Sequence, residues 1–284
     1  MQTVKTLDML RNKLAALQGD GSTVGLVPTM GALHEGHLTL MREAKAVCDH
    51  VVASIFVNPT QFGPNEDLDA YPRQMAEDSA MLEAEGVSLL WAPDIEAMYP
   101  DGFASSISVE GVSANFCGGS RPGHFDGVAT VVCKLFNQVR PDKAFFGEKD
   151  FQQLAVIRQM ARDLDLSAPF ADDIIGVPTV REPDGLAMSS RNRYLSSENR
   201  QTATALPQGM RDAISDIEAG RPVADVLARF EASLITAGFD KVDYAALADA
   251  QSLALLDEFS GKPSRMLVAA RIGGTRLIDN LPVG

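Results

Sequence analysis

The chain has 284 residues, of which 45% are hydrophobic, and a net charge of −13. It can bury a sizeable core and is long enough for two domains. The acidic balance argues against a general nucleic-acid surface, because binding phosphates needs basic side chains. No stretch approaches the roughly 18 to 20 apolar residues of a membrane span, and the N-terminal sequence does not read as a signal peptide. We therefore expect a cytoplasmic protein without membrane or nucleic-acid partners.

The three cysteines, Cys48, Cys117 and Cys133, lie far apart in the sequence and form no CxxC pair. This spacing argues against a structural zinc site, a redox dithiol and a disulfide framework. We expect the cysteines to serve in packing.

Strand and helix patterns alternate through the first part of the chain. Leucines at helical spacing predict a helix over 6–17, and apolar runs predict strands at 25–27 and 51–57. The second run is almost unbroken, which is typical of a strand covered on both faces in a parallel sheet. With a helix predicted at 37–49 between the two strands, the order indicates a right-handed βαβ unit.

The same alternation continues to about residue 180. The further predicted elements are helices at 71–86, at 128–139 and from the turn at 147–150 to residue 164, and strands at 88–91, 143–146 and 174–180. We therefore predict an α/β fold, a Rossmann-like doubly wound parallel sheet, in residues 1–179.

Residues 180–284 are expected to form a smaller C-terminal α+β domain. Helical patterns cover 197–219 and 222–237, and short strands are predicted near 242–244 and 265–271. Gly273 and Gly274 predict the turn of a hairpin.

The turn after the predicted strand at 25–27 carries His34-Glu35-Gly36-His37. If a helix begins near Gly36, its first amides lack intrahelical partners and its positive dipole end favours a phosphate. The two histidines are three residues apart and can stand on one face of that helix. The alternative is that one histidine caps the helix and the other packs.

Another polar segment follows the predicted strand at 51–57, and two further candidates lie on a helix and in a loop. Asn58 and Gln61 come after the second strand, where their amides can hold a polar substrate, although an ordinary surface loop is the alternative. Glu77 and Asp78 can hold Mg²⁺ through water, but a solvated helix face explains them about as well. In the loop at 118–125, Arg and His side chains can reach an anion.

Later segments add phosphate-binding chemistry. Gly147 ends a strand, and Lys149 and Asp150 follow, so a cation can neutralise a phosphate and a carboxylate can accept from ribose hydroxyls or serve a metal ion. Gln153 lies one turn further on the same face. The segment 189–191, Ser-Ser-Arg, suits the β and γ phosphates of a nucleotide. A helix N-cap with a surface lysine, and a plain capping loop, are the alternatives for these two segments.

Four longer strings are similar, nearly residue for residue, to the pantoate–β-alanine ligase family. They are VPTMGALHEGH, FVNPTQFGPNEDLDAYPR, FFGEKDFQQL and GLAMSSRNRYL, and they span Val27 to Leu195. The HxGH pair and the Met-Ser-Ser-Arg loop also resemble the wider nucleotidyltransferase superfamily that includes class I aminoacyl-tRNA synthetases. Ala187 stands where the synthetases' loop has a lysine, which favours the ligase family. We expect Lys149 and Arg191 to supply that charge.

The resemblance implies ATP-dependent ligation of pantoate and β-alanine to pantothenate through a pantoyl adenylate, with Mg²⁺ and in a homodimer. It gives His37 the proton-donor role and places His34, Lys149 and Arg191 on the phosphates. The implied ATP contacts are Met30, Gly31, Ala32, Leu33, His34, Glu35, Gly36, His37, Gly147, Glu148, Lys149, Asp150, Val180, Met188, Ser189, Ser190 and Arg191. The implied substrate contacts are Pro28, Thr29, Asn58, Gln61 and Gln153. The candidate metal residues are Glu77 and Asp78.

Two other functions remain open at this stage. A nucleotidyltransferase that moves AMP or CMP onto a phosphorylated small molecule shares HxGH, but needs a second cationic subsite. A non-catalytic nucleotide-binding module requires the loss of a catalytic group, whereas His34, His37 and Lys149 are all present. A zinc hydrolase is excluded because HEGH does not have the spacing of HExxH.

Overall fold

The computed structural model describes residues 1–64 and 66–284. Asn65, which belongs to the predicted polar loop, lies outside the described residues. The chain divides into two compact units, and the predicted domain boundary between residues 179 and 180 stays a prediction. The first unit comprises Met1–Val109, Arg121–Glu148 and Gln153–Pro178, and the second comprises Glu110–Ser120, Lys149–Gln152 and Thr179–Gly284.

The secondary structure follows the predicted alternation. The strands are β1 Gln2–Val4, β2 Val24–Thr29, β3 His50–Ile55, β4 Leu89–Trp91, β5 Lys143–Gly147, β6 Ile174–Val177, β7 Lys241–Asp249, β8 Ser264–Ile272 and β9 Thr275–Val283. The α-helices are α1 Leu7–Leu17, α2 Glu35–Val47, α3 Met75–Ala84, α4 Ile95–Met98, α5 Phe116–Ser120, α6 His124–Val139, α7 Phe151–Asp163, α8 Ser197–Thr202, α9 Ala205–Glu218 and α10 Val223–Ala237. Short 3₁₀ helices cover Pro59–Gln61, Glu148–Asp150, Ala171–Asp173 and Ser190–Tyr194.

The sheet of the first unit has the strand order β1-β4-β3-β2-β5-β6, and every pair is parallel. From β2 the chain proceeds outward through β3 and β4 on one side, and it later resumes at β5 and β6 on the other. Such a reversal leaves a crevice at the carboxyl ends of the central strands, where ligands bind in open α/β sheets. The doubly wound parallel sheet is confirmed, and the ends of β2 at Thr29 and β5 at Gly147 meet at this crevice.

The core of the first unit lies between this sheet and its helices. Trp91, Phe136 and Phe145 are among its largest fully buried side chains. The indole Nε1 of Trp91 donates to Gln138 Oε1 at 3.0 Å, so its polar atom is satisfied inside the core.

Several boundaries differ from the predicted ones for local reasons. Strand β1 was not predicted because three residues are too short to show a period. Helix α3 begins at Met75 rather than at residue 71, since Pro72 disfavours a helical conformation for the residue before it. Strand β6 ends at Val177 because Pro178 has no N–H for a ladder bond.

Two predicted helices also have different bounds. Helix α6 begins at His124, four residues before the predicted start, and follows Gly123 in a left-handed conformation with φ 80°. The predicted helix over 197–219 is divided into α8 and α9, with a break at residues 203–204.

The second unit is built on an antiparallel sheet with the order β7-β8-β9. Gly273 and Gly274 form the β8–β9 turn with φ of 53° and 77°, as the sequence predicts. The inward face of β8, including Met266, packs in one apolar cluster with Met210 of α9 and Phe230 of α10. Within the described residues, no helix is both long and apolar enough to cross a membrane.

Candidate functional site

The turn after β2 is shaped by a hydroxyl at the end of the strand. Thr29 Oγ1 donates to the carbonyl of Ser54 at 2.8 Å and accepts from the amide of Gly31 at 3.2 Å. Gly31 and Ala32 then take positive φ values of 82° and 52°. The Thr29 hydroxyl therefore builds the turn, and its predicted contact with substrate stays a prediction.

Asp78 holds this turn from helix α3. Its two carboxylate oxygens accept from the amides of Ala32 and Leu33, both at 2.9 Å, and Gln74 Nε2 donates to it at 3.1 Å. The Asp78 residue is only 1% exposed. A Cβ on Gly31 would lie 2.9 Å from Asp78 Oδ2, so the turn needs glycine at this position.

This placement separates the two candidate metal residues, and their predicted part in holding Mg²⁺ stays a prediction. Asp78 does not belong to a solvated helix face, because it is buried and bound to backbone amides. Glu77 is exposed on the same helix. Among residues 1–64 and 66–284, no group of three or more His, Cys, Asp or Glu side chains is arranged to hold a metal ion.

His34 caps helix α2, and His37 stands in its first turn. His34 Nδ1 accepts from the Gly36 amide at 3.2 Å, and the His34 carbonyl accepts from the His37 amide at 2.8 Å. The alternative of a capping histidine is thus correct for His34. Of the amides expected to lack intrahelical partners, that of Gly36 bonds the capping side chain and that of His37 bonds the His34 carbonyl. The two imidazole rings lie together, with centroids 4.2 Å apart. A neutral His34 ring that accepts through Nδ1 carries its proton on Nε2.

Gln61 approaches the same turn from the segment after β3. Its Nε2 donates to the sulfur of Met30 at 3.1 Å, and its Oε1 accepts from Asn58 Nδ2 at 3.1 Å. Asn58 is 1% exposed, and its other polar contacts are also with protein atoms. The structure therefore gives Asn58 a role in holding Gln61, and its predicted direct contact with substrate stays a prediction.

Helix α6 supports the backbone of Gln61. A Cβ on Gly127 would lie 2.5 Å from the Thr60 carbonyl oxygen, so only glycine admits this close approach. The carbonyl of Gln61 also lies 2.8 Å from Nδ1 of His124. These contacts fix the segment without using the Gln61 side chain.

Arg121 is neutralised within the first unit. Its Nε and Nη2 donate to the two carboxylate oxygens of Glu66 at 2.6 Å each. Burial opposes ionisation of Glu66, but the hydrogen bonds and charge of Arg121 outweigh it and lower the pKa of Glu66 to about 2. The prediction that this arginine reaches an anion is corrected, because its charge is already paired.

In the second unit, the C-terminal hairpin holds the backbone of Lys149. Asn280 Nδ2 donates to the Lys149 carbonyl at 2.9 Å, and the Asn280 amide donates to Asp279 Oδ1 at 2.7 Å. Asp279 in turn forms a bidentate pair with Arg181, at 2.7 and 2.8 Å. The Lys149 ammonium lies 3.7 Å from Asp150, and its side chain is 20% exposed. The charged groups of Lys149 and Asp150, which the sequence predicts to bind phosphate and ribose, therefore lie close to each other.

The Met-Ser-Ser-Arg loop lies beside Val180 in the same unit. The Met188 amide donates to the Val180 carbonyl at 3.0 Å. Ser189 Oγ accepts from the Arg191 amide at 3.3 Å and so caps the 3₁₀ helix Ser190–Tyr194. The capping-loop alternative is correct for the Ser189 hydroxyl, and the structure brings the four predicted residues together with Val180.

Ala187 precedes this loop and is buried. Its carbonyl accepts from Asn192 Nδ2 at 3.0 Å. A lysine at this position would place an ammonium among packed atoms, at a large desolvation cost. The absence of the superfamily's lysine is therefore consistent with the local packing.

Gln152 and Gln153 begin helix α7 but have different surroundings. Gln152 is buried and contacts the Cys117 amide and the carbonyls of Val112 and Asn115, at 2.7 to 3.0 Å. The predicted residue, Gln153, is only half-buried. The Gln152 amide therefore holds the backbone, whereas the Gln153 amide is accessible to a ligand.

Two residues important to this geometry were missed from the sequence. Gly127 lies one residue before the predicted start of helix α6, and an isolated glycine in a helix can indicate a close backbone approach. Tyr99 donates to Asn58 Oδ1 at 2.7 Å. Its place in the sequence carries no corresponding signal, because its partner lies 41 residues away.

The chain is similar to known proteins over its whole length. Residues 2–282 match the family model described as pantoate-beta-alanine ligase. The chain is 66% identical over 284 residues to the pantothenate synthetase of Novosphingobium aromaticivorans, in a match that covers 100% of this chain and 99% of the relative. The pantothenate synthetase structure from Thermus thermophilus has 47% identity and a TM-score of 0.91, with 99% of each chain covered.

A third comparison includes bound molecules. The structure of pantoate-beta-alanine ligase from Francisella tularensis in complex with beta-gamma ATP and beta-alanine is 34% identical to this chain and has a TM-score of 0.83. The match covers 99% of this chain and 97% of that protein.

The role of Asp78 can be tested against its neighbour. We expect Asp78→Asn to lower the free energy of unfolding by about 1–3 kcal/mol, because one amide of the turn then loses its acceptor in a buried place. Glu77→Gln, one residue earlier and exposed, should change it by less than about 0.5 kcal/mol. Urea unfolding of both variants measures the difference, and equal effects would contradict the buried hydrogen-bonding role of Asp78.

Proposed function

Because the chain belongs to the pantoate–β-alanine ligase family, we propose that it is a two-step ligase that works through a pantoyl adenylate. The pantoate carboxylate attacks the α-phosphorus of ATP and releases pyrophosphate. The amine of β-alanine then attacks the acyl carbon, loses a proton, and displaces AMP to give pantothenate. Adenylation is needed because a carboxylate is a poor acyl donor. Two observations support the proposal: Asp78 holds the histidine turn through two backbone amides, and residues 2–282 match the family model.

In this proposal the histidine turn binds the phosphates of ATP. The positive end of helix α2 and the imidazole of His34 favour the negative charge there. His37 donates a proton to the phosphate oxygens as pyrophosphate leaves. The Asp78 contacts support this role because they fix the backbone from which both imidazoles project.

Residues of the second unit are proposed to bind the nucleotide as well. Lys149 neutralises phosphate charge, Asp150 accepts from the ribose hydroxyls, and the backbone of Val180 contacts adenine. The loop from Met188 to Arg191 binds the triphosphate tail. The hydrogen bonds from Asn280 to Lys149 and from Met188 to Val180 support this proposal, because they hold the backbone of these residues in place.

Pantoate is proposed to bind Gln61 and Gln153. An amide N–H can donate to the carboxylate or to a hydroxyl oxygen of pantoate. Gln61 is also proposed to lie near bound β-alanine. The support for Gln61 is that its amide is held beside Met30, within the turn that carries the histidines.

Mg²⁺ is proposed to enter with ATP, as a counter-ion of the phosphates. Asp78 does not fit as a direct ligand, because its carboxylate accepts from the amides of Ala32 and Leu33. Glu77, exposed on the same helix, stays the candidate for contact through water. Mg²⁺ commonly keeps several waters and binds through substrate phosphates, so this assignment does not need a protein cage. None of the steps above uses a protein-bound metal.

We also propose that the enzyme works as a homodimer in the cytoplasm. The family resemblance supports the dimer, and the use of ATP suits the compartment. Light scattering of the purified protein should give twice the mass of one chain, and the mass of a single chain would contradict the dimer.

The first experiment measures pyrophosphate release from ATP, pantoate and Mg²⁺ in a single turnover, with and without β-alanine. We expect a burst of one equivalent without β-alanine, and steady turnover to AMP and pantothenate when it is added. Pyrophosphate that appears only when β-alanine is present would contradict a preformed adenylate. If no pyrophosphate depends on pantoate, AMP or CMP transfer to a phosphorylated acceptor becomes the function to test.

The proposed charge of Lys149 can be removed by Lys149→Ala. We expect the single-turnover rate of adenylate formation to fall by about 10² to 10³, because losing a preorganised charge contact has an effect of this order. Lys143→Ala is the matched control, since its ammonium pairs with Asp173 at 2.5 Å. An unchanged rate in Lys149→Ala would contradict the assignment.

Gln152 and Gln153 form a second matched pair. Gln153→Ala should raise the Kd for pantoate by about tenfold with little change in stability, because one direct hydrogen bond is lost. Gln152→Ala should instead lower the free energy of unfolding by about 1–3 kcal/mol, since it leaves buried backbone groups unsatisfied. Titration calorimetry and urea unfolding separate the two effects. If Gln153→Ala altered ATP binding alone, its pantoate assignment would be wrong.

A further inference from the structure

The side-chain amide of Asn58 has an orientation set by its neighbours. Its Oδ1 accepts from Tyr99 Oη at 2.7 Å and from Thr60 Oγ1 at 2.9 Å. Its Nδ2 donates to the Gly127 carbonyl at 3.2 Å and to Gln61 Oε1 at 3.1 Å. A flipped amide would turn Nδ2 toward these hydroxyls and Oδ1 toward two oxygens that can only accept. One orientation of Asn58 therefore satisfies every contact.

This orientation extends to Gln61. Because Asn58 donates to Gln61 Oε1, the carbonyl end of the Gln61 amide is taken up by protein. Its Nε2 end is directed to the sulfur of Met30, which accepts only weakly. Gln61 thus presents an N–H donor on the side of the histidine turn.

Tyr99 is the far end of this chain of hydrogen bonds. Its ring packs on Phe56, with centroids 6.1 Å apart, and at an angle to Phe103, with centroids 5.1 Å apart. Burial raises the pKa of Tyr99 above its ordinary value, so the phenol stays protonated at neutral pH. A rigidly packed ring therefore holds a hydroxyl donor against Asn58 Oδ1.

We propose that Tyr99 is a positioning residue which, through Asn58, fixes the Gln61 amide with its N–H toward pantoate. This inference rests on the proposed binding of pantoate by Gln61. Tyr99 acts without touching the substrate. The fixed donor selects a ligand with an acceptor oxygen at this point, such as a carboxylate or hydroxyl, over one that presents only a donor.

The variant Tyr99→Phe removes the hydroxyl and keeps the packed ring. We expect it to raise KM for pantoate by about tenfold, because Asn58 Oδ1 loses its shortest hydrogen bond and the side chain that holds Gln61 Oε1 is less firmly fixed. KM for ATP should stay within about twofold, since ATP does not use this donor. Tyr244→Phe is the matched control, because it removes another hydroxyl bonded to a side chain, 3.2 Å from Cys117 Sγ. Equal effects of both variants on KM for pantoate would overturn the proposal.

A double-mutant cycle tests whether Tyr99 acts through Gln61. In a Gln61→Ala background, Tyr99→Phe should produce no further rise in KM for pantoate, because the group that it positions is gone. Additive effects would show that Tyr99 acts by another route and would overturn the proposal. This outcome leaves the two-step ligase intact, since wild-type pyrophosphate release does not depend on it.

A structural readout remains if pantoate proves not to be a substrate. In protein with ¹⁵N-labelled Asn and Gln side chains, Tyr99→Phe should shift the Nε2 signals of Gln61, identified by their loss in Gln61→Ala. Tyr244→Phe should leave them in place. Unshifted Gln61 signals in Tyr99→Phe would overturn the positioning role, whatever the substrate is.

Discussion

Two backbone amides, those of Ala32 and Leu33, donate to the buried carboxylate of Asp78, and the geometry of the histidine turn depends on this pair of bonds. Ala32 has a φ of 52°, in the left-handed region that costs a residue with a side chain about 1–2 kcal/mol. Charge-assisted hydrogen bonds in a buried place are strong enough to offset this strain. After this turn, His34 occupies the N-cap position of α2 and His37 lies in the first turn of the helix.

A second close approach places Gln61. The segment Pro59–Gln61 can lie against helix α6 only because residue 127 has no side chain, and the Asn58 amide donates to the carbonyl of that same glycine. Backbone contact thus sets the position of the Gln61 main chain, and Asn58 sets the rotation of its amide. Both are fixed by contacts within the protein, so a ligand at the proposed Gln61 site would not bear the entropy cost of ordering them.

The sequence predicts what depends on local pattern. Strands β2 and β3 with helix α2 between them show clear periodicity, and the doubly wound sheet follows from their repetition. The candidate residues stand where these strands end, so the position of the histidine turn could also be predicted. Asp78 could not be recognised as its support, because it lies 46 residues from Ala32. The hydrogen bond from Tyr99 to Asn58 could not be predicted for the same reason, because partners distant in sequence produce no periodic pattern.

In the Met-Ser-Ser-Arg loop, the preceding residue Ala187 carries no charge. Its side chain is buried, and its carbonyl holds Asn192, so the backbone at this point is packed from two directions. The positively charged residue of this loop is Arg191. Its backbone amide donates to Ser189 Oγ, and it lies in the 3₁₀ helix Ser190–Tyr194. A guanidinium binds phosphate oxygens in a bidentate manner, whereas an ammonium acts as a point charge. In the proposed phosphate site, Arg191 therefore supplies a planar bidentate donor where a lysine would supply a point charge.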